Sequence, residues 1–246
     1  MDNATYVAVS RLAAQQRAMD VTASNIANAD TTGYRSERVL FTDWLSRQNN
    51  TASPRGGAVI AYTQDRATYR DNQEGALTHT NDPLDVAITG EGYFTVDTPR
   101  GPRLTRAGRF ELTPNGTIAD GNGDALLDTN GRPIQLSPAD TSISIAGDGT
   151  ISSENGQIGK IGVVRPDDPM RLQAEGGRLF RADTVTTPVE QPNLVQGAVE
   201  DSNVQPILEL TRMMNELREF QFMSQFVQGE ADRHQSAIDK LLPTQS

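Results

Sequence analysis

Residues 201–242, DSNVQPILELTRMMNELREFQFMSQFVQGEADRHQSAIDKLL, carry the one long, clean hydrophobic period in the chain. Leu210, Met213, Leu217, Phe220, Ser224, Val227, Ala231, His234, Ile238 and Leu241 follow one another at alternating spacings of three and four, the seam of a heptad repeat. Only Ser224 and His234 in that series are polar. Asp201, Ser202 and Asn203 offer N-caps, Pro206 fits a first helical turn and Pro243 stops the run, so the pattern predicts one helix. At 1.5 Å per residue a helix of about 40 residues is roughly 60 Å long. That is too long to bury its stripe against a small domain, and it needs another helix.

A matching stripe lies at the other end of the chain. Val9, Leu12, Gln16, Met19, Ala23 and Ile26 repeat the same spacing over residues 3–27. Either stripe alone also reads as the core face of an ordinary bundle, but Thr31 to Val199 holds no second long amphipathic segment to complete one. The two ends are therefore expected to zip to each other or to other chains. The expected assembly interface of this terminal coiled coil is Val9, Leu12, Met19, Ile26, Leu210, Met213, Leu217, Phe220, Val227, Ile238 and Leu241.

Composition narrows the function classes. A formal charge of -10 and a pI near 4.7, with no basic run longer than a pair, argue against nucleic acid, whose phosphates need Lys and Arg clusters. Mean hydropathy of -0.51 and the lack of any apolar run near ~20 residues argue against a membrane span. There is no cysteine, which removes disulfides, thiolate metal sites and cysteine nucleophiles together. His79 and His234 are too few for a histidine-rich metal site. The opening residues lack the basic and apolar regions of a secretory signal peptide, so the sequence reads as cytoplasmic or as exported without a cleaved signal.

After Ala27, Asn28-Ala29-Asp30-Thr31-Thr32-Gly33-Tyr34 reads as a helix stop. Val39-Leu40-Phe41 and Trp44-Leu45 form a short apolar cluster, and Gln48 to Gly57 is a breaker-rich loop. From Ala58 the texture turns to short β-branched and aromatic runs punctuated by Gly, Pro, Asn and Asp, the mark of an all-β domain. Leu84, Val86 and Ile88 alternate with Asp85, Ala87 and Thr89, and Gly90-Glu91-Gly92 predicts a hairpin into Tyr93-Phe94-Thr95-Val96. Asn115-Gly116-Thr117-Ile118 and Asp148-Gly149-Thr150-Ile151 share a pattern, each followed by a second Asn-Gly at Asn122 and Asn155. They read as two related hairpins or as chance similarity among turns.

The expected fold class is α+β, a discontinuous N- and C-terminal coiled-coil domain flanking a central all-β domain. The expected division is 1–33 for the first helix, 34–78 for a linker or extended region, 79–200 for the β domain and 201–246 for the last helix.

No catalytic constellation emerges, and the chain is read as non-enzymatic with no cofactor. Asp120 to Asp124 resembles the start of an EF-hand loop, but the sixth position is Ala125 and the twelfth Gly131, so it reads as a turn. Gly90-x-Gly92 lacks the following helix that a phosphate loop needs. Ser10, Ser24 and Ser202 have no nucleophile elbow around them. Asp85, Glu91 and Glu111 alternate with apolar residues and read as the solvated face of a sheet.

Over nearly its whole length the chain resembles the flagellar basal-body rod and hook proteins of bacteria. Ala23-Ser24-Asn25-Ile26-Ala27-Asn28-Ala29-Asp30-Thr31-Thr32-Gly33-Tyr34 resembles the N-terminal signature of that family. Pro83 to Phe94 and Leu104-Thr105-Arg106-Ala107-Gly108-Arg109-Phe110 resemble its β-domain signatures, and Ser202-Asn203-Val204 its C-terminal one. The opening Asp2-Asn3-x-x-Tyr6-Val7-Ala8-Val9-Ser10-Arg11 and Val204-Gln205-Pro206 are more similar to the proximal-rod branch than to the distal-rod branch, the alternative. Where the family usually carries Gln-Arg-x-Tyr-Glu, this chain has Leu217-Arg218-Glu219-Phe220-Gln221. The resemblance implies a rod subunit passed unfolded through the flagellum's own type III export apparatus, without a cleaved signal, to the periplasmic basal body. There it would polymerise helically with itself and other rod proteins, terminal helices inside and β domain outside, and pass motor torque to the hook. The competing class is a surface adhesin or binding module whose helices only oligomerise; a coiled coil split across both termini favours the polymer subunit.

Overall fold

Two long helices bracket the chain: α1 (Asn3–Ala27) and α2 (Pro206–Leu241). The computed structural model describes residues 3–47, 59–176 and 178–241. It divides into a helical unit of residues 1–27, 37–71 and 205–246 and a β unit of residues 28–36 and 72–204. The loop read at 48–57 lies outside the described residues, as do the side chains of Phe41, Trp44 and Leu45.

The helical unit is more than a helix pair. Strands β1 (Glu37–Arg47) and β2 (Val59–Arg70) run antiparallel beside the helices, with a bulge between Leu40 and Phe41, and α1 packs on both strands as well as on α2. This corrects the expectation of a terminal coiled coil. A heptad seam needs apolar side chains at both of its alternating positions. The least exposed residues of α2 are instead Glu209, Met213, Glu216, Phe220, Met223, Val227 and Glu230. Met213, Phe220 and Val227 lie where the sequence placed them. The intervening positions fall one residue earlier than expected, on three glutamates and Met223, so Leu210 and Leu217 are left in solvent, 49% and 46% exposed.

The β unit runs through β3 (Leu77–His79), β4 (Val86–Thr89), β5 (Tyr93–Thr98), β6 (Gly101–Thr105), β7 (Phe110–Leu112), β8 (Ile118–Asp120) and β9 (Ala125–Leu126). It continues through β10 (Ile143–Ile145), β11 (Thr150–Ser153), β12 (Gly156–Lys160), β13 (Val163–Pro166), β14 (Leu172–Ala174), β15 (Leu179–Ala182), β16 (Thr186–Pro188), β17 (Asn193–Gln196) and β18 (Ala198–Glu200). The largest sheet orders β14-β15-β6-β5-β9-β8-β7, with β13 joining β5 to β16; β10-β11-β12 form a second sheet, and β17 pairs β4 as β18 pairs β3. Its core holds Phe94 and Phe110 edge-to-face at 5.4 Å, with Val96, Ile118, Leu126 and Ile151 packed around them.

Both Asn/Asp-Gly-Thr-Ile motifs turn the chain into the middle strand of a three-stranded meander. Asn115-Gly116 leads into β8, flanked by β7 and β9, and Asp148-Gly149 leads into β11, flanked by β10 and β12. In the Asp120 turn the carboxylate accepts from the backbone amides of Asn122 and Asp124 at 2.8 and 3.0 Å.

Two sequence readings fail here. The hairpin through Gly90-Glu91-Gly92 does not form: β4 pairs β17, and β5 pairs β6, β9 and β13. The reason is that the backbone around the turn is committed elsewhere. Val86 N–H donates to Gly108 O at 2.8 Å, and the Arg106 guanidinium donates to the carbonyls of Ile88 and Gly90. A side chain at 108 would collide with Val86 O, its Cβ only 1.7 Å away, so this approach requires glycine. Asp85 is not on a solvated face either; it is 4% exposed, whereas Glu91 and Glu111 are exposed as expected.

At the end of β18, Glu200 is 2% exposed. It accepts from Arg35 at 3.1 Å, from Arg106 at 3.0 Å and from Gly75 N at 3.2 Å. Gly33 N donates to Glu200 O, Asn203 N donates to Tyr34 O, and Ser36 N donates to the Asn203 side chain at 2.7 Å. The segment leaving α1 is thus bonded to the segment entering α2. Gly33, at φ +69, sits against Arg106, where a Cβ would come within 2.3 Å of its carbonyl carbon. Burial lowers the Arg106 pKa, and the Glu200 charge opposes that lowering.

Two predictions follow from these bonds. Glu200→Gln would leave two buried guanidiniums without their countercharge, and loss of one partner from a buried ion pair costs about 3–5 kcal/mol; denaturant titration of the β signal reads it. Glu154 accepts from Thr141 N, Thr141 Oγ1 and Ser142 N, which hold its pKa down to about 2. A carboxylate depressed by folding contributes stability at pH above its unfolded value and loses it as pH falls through the folded one. The wild-type melting temperature should therefore fall more steeply between pH 4.5 and pH 2 than that of Glu154→Gln.

Candidate assembly interface

Within the helical unit, α1 meets α2 through small and polar side chains. Ala8, Ala14, Thr22 and Asn25 are the buried residues of α1, with Thr22 3% and Asn25 0% exposed. Gln15 Nε2 donates to Glu219 at 3.1 Å, Thr22 Oγ1 to Glu216 at 3.3 Å, and Asn25 Nδ2 to Glu209 at 3.4 Å. Asn25 also accepts from the Glu37 amide and donates to the Glu37 carbonyl, both at 2.9 Å, so its amide acts as one rung of a strand at the start of β1.

Glu209, 2% exposed, is the electrostatic anchor of this contact. Arg38 of β1 reaches its two oxygens at 2.8 and 3.0 Å, and Arg212 one turn along α2 reaches it at 3.3 Å. Glu216 is half-buried and lacks such cations. Burial raises its pKa, with Glu209 and Glu219 adding to the rise, while the Thr22 bond and Arg38 oppose it.

Away from that contact α2 exposes apolar side chains on more than one side. Ile207, Leu210, Met214 and Leu217 follow spacings of three, four and three, at 79%, 49%, 56% and 46% exposure. Phe222 and Phe226, one turn apart, are 71% and 44% exposed. Of the residues expected at the interface, Val9, Leu210 and Leu217 are thus exposed, and Leu12, Met19, Ile26, Met213, Phe220 and Val227 are partly buried. The side chains of Ile238 and Leu241 lie outside the described residues. Sequence reasoning missed the polar set Asn25, Thr22, Glu209, Glu216 and Arg38. Its signal was Glu209, Glu216 and Glu230, which recur on the helix face of Met213 and Phe220.

Among the described residues no group of His, Cys, Asp or Glu is arranged to hold a metal ion, and no helix is long and apolar enough to cross a membrane.

Three family models match the chain: flagella basal body rod protein over residues 6–35, flagellar hook protein FlgE/F/G D1 domain over 87–153, and flagellar basal body rod FlgEFG protein C-terminal over 195–240. The chain is 34% identical over 243 residues to the flagellar basal-body rod protein FlgF of Caulobacter vibrioides, covering 98% of each. It is 33% identical to FlgF of Mesorhizobium japonicum, again over 98% of each. The flagellar basal-body rod protein FlgG of Bacillus subtilis is 32% identical, over 90% of this chain and 92% of that one. Arg35, Arg106 and Glu200 fall one in each of the three matched segments.

Asn25→Ala would remove the rung on Glu37 and a donor to Glu209, leaving buried backbone groups unpaired at a cost of roughly 1–3 kcal/mol each. Chemical denaturation followed at 222 nm should show the helical transition at lower denaturant, with the β transition unchanged.

Proposed function

Because the chain belongs to the flagellar basal-body rod protein family, we propose that the exposed apolar stripes of α2 are where it docks onto neighbouring rod subunits. It is a structural subunit of the bacterial flagellar basal-body rod, of the FlgF kind. The single observation behind the docking reading is the exposure of Ile207, Leu210, Met214, Leu217, Phe222 and Phe226 on one helix. So many large apolar side chains exposed on one helix are uncommon on a protein that works alone. Val9 on α1 is exposed as well, and Leu12, Met19, Ile26, Met213, Phe220 and Val227 are partly buried.

In this reading the subunit has no catalytic role. It occupies the proximal rod and passes motor torque toward the hook, in a helical polymer of itself and other rod proteins. It reaches the periplasm through the flagellar type III export apparatus without a cleaved signal peptide. A distal position is the second reading, since FlgG proteins also match nearly the whole chain; labelling the chain in purified basal bodies separates the two.

The double variant Leu210→Asp, Leu217→Asp tests the docking surface. Both side chains are already in solvent, so each substitution should change the monomer by less than about 0.5 kcal/mol. Buried between subunits, each would bring an unpaired carboxylate into an apolar contact, costing several kcal/mol per subunit. The purified variant should melt like wild type, and cells carrying it should lose completed rods and swimming on soft agar. Normal swimming at normal expression would refute the surface.

A further inference from the structure

Three glutamates lie among the least exposed residues of α2, and among the described residues two of them have a cation. Glu209 holds Arg38 and Arg212, and Glu230 holds Arg233 one turn away. Glu216 forms no ion pair among the described residues. One of its oxygens accepts the Thr22 hydroxyl at 3.3 Å, and the other is buried with no hydrogen-bond partner. Buried carboxylate oxygens are rarely left unmatched, because the ionised form has lost water without replacement.

The surroundings explain why no cation comes to it. Glu216 lines a cavity of about 190 Å³. Ala18, Val21 and Thr22 of α1 form an uncharged wall; β1 contributes Glu37, Arg38 and Val39, β2 contributes Tyr69, and α2 contributes Arg212. The two arginines there are engaged by Glu209, and Arg70 of β2 engages Glu37 at 3.0 Å. Glu219, one turn on, accepts from Gln15 and adds a second like charge beside Glu209.

We propose that Glu216 is a protonation-controlled brake on the pairing of α1 with α2. Ionised, it holds a charge against an uncharged helix wall and beside two other carboxylates, which weakens the contact. Protonated, it loses that charge and becomes a hydrogen-bond donor as well as an acceptor, and the contact tightens. The consequence for assembly rests on the reading of the helical unit as the assembly element; the chemistry at Glu216 does not. Its pKa is raised in the paired state, so pairing is firmest below the ordinary glutamate value. It weakens as pH rises through the raised one, and the full penalty is present above that value. This response is opposite in sign to that of Glu154 in the β unit.

Thermal melts of the full chain, followed at 222 nm from neutral pH down into the carboxylate range, test the brake. Glu216→Gln keeps the shape and removes the charge. At neutral pH it should melt clearly above wild type, because the charge that burial disfavours is gone. That gap should close as the pH falls, because the wild type then protonates. Glu216→Met, which also offers no charge, should melt above wild type at neutral pH as well. Glu219→Gln, on the exposed flank, should produce a clearly smaller rise. A Glu216→Gln melting temperature at or below wild type at neutral pH would overturn the brake, as would a gap that does not change with pH. These melts are read on the purified chain without any polymer. Normal swimming by the Leu210→Asp, Leu217→Asp variant would therefore sink the docking surface and leave this result standing.

Discussion

Glu200 lies 165 positions from Arg35 and 94 from Arg106, yet its one carboxylate is bonded to both, and all three side chains are buried. Burying three charges is expensive, and replacing such a group with apolar side chains is often neutral or stabilising. Its value lies in what it specifies. Each guanidinium also bonds backbone carbonyls through its terminal nitrogens, Arg35 to Asn72 and Arg106 to Ile88 and Gly90, while the Nε of each has no partner among the described residues. The cluster thereby fixes the exit from α1, the approach to β5 and the entry to α2 together. The same carbonyl bonds keep β4 from folding back on β5. Each of the three family-matched segments supplies one member, so the signatures that look separate in the sequence meet at one point.

The helical unit uses polar groups differently. Its inward side combines hydrogen bonds from Gln15, Thr22 and Asn25 to glutamates with the partly buried Met213, Phe220, Met223 and Val227, while Ile207, Leu210, Met214 and Leu217 remain outside. Apolar burial contributes about 25 cal/mol per Å², so a chain that only needed to join its own two helices would turn the leucines inward. Specific hydrogen bonds instead fix how α1 registers against α2, because an amide or carboxylate one residue out of place loses its partner. In the proposed docking reading, neighbouring subunits would cover that apolar area.

Much of this was legible in the sequence. The two helices and the turns at Asn115-Gly116 and Asp148-Gly149 were visible because each depends on local chemistry, a period or a turn residue. The phase of the seam was not. Leu208, Met214, Phe222 and Phe226 make α2 apolar on several sides, so the three-and-four spacing fits more than one face, and the heptad rule chose the one that excludes glutamate. The structure chose another, because Arg38 on β1 and Asn25 on α1 supply what Glu209 needs, and neither is near it in sequence. Arg35, Arg106 and Glu200 were hidden for the same reason: a buried ion cluster has no local period. Asp85 misled by alternating with apolar neighbours, because it is buried just before β4, a strand covered on both faces.

Charge is divided between the units in a way that suits their surfaces. Of the 32 acidic and 22 basic residues, the β unit holds 20 and 11, a net of -9, and the helical unit 12 and 11, a net of -1. Like charges brought within a Debye length of about 8 Å at physiological salt repel, and the repulsion accumulates with every added copy. A strongly charged helical unit would oppose close packing of one copy on the next; one near neutrality does not. The acidic β unit keeps the chain soluble before its apolar helix face is covered. Exposed leucines and phenylalanines on α2 are thus tolerable because the charge that would hinder their contacts has been placed on the other unit.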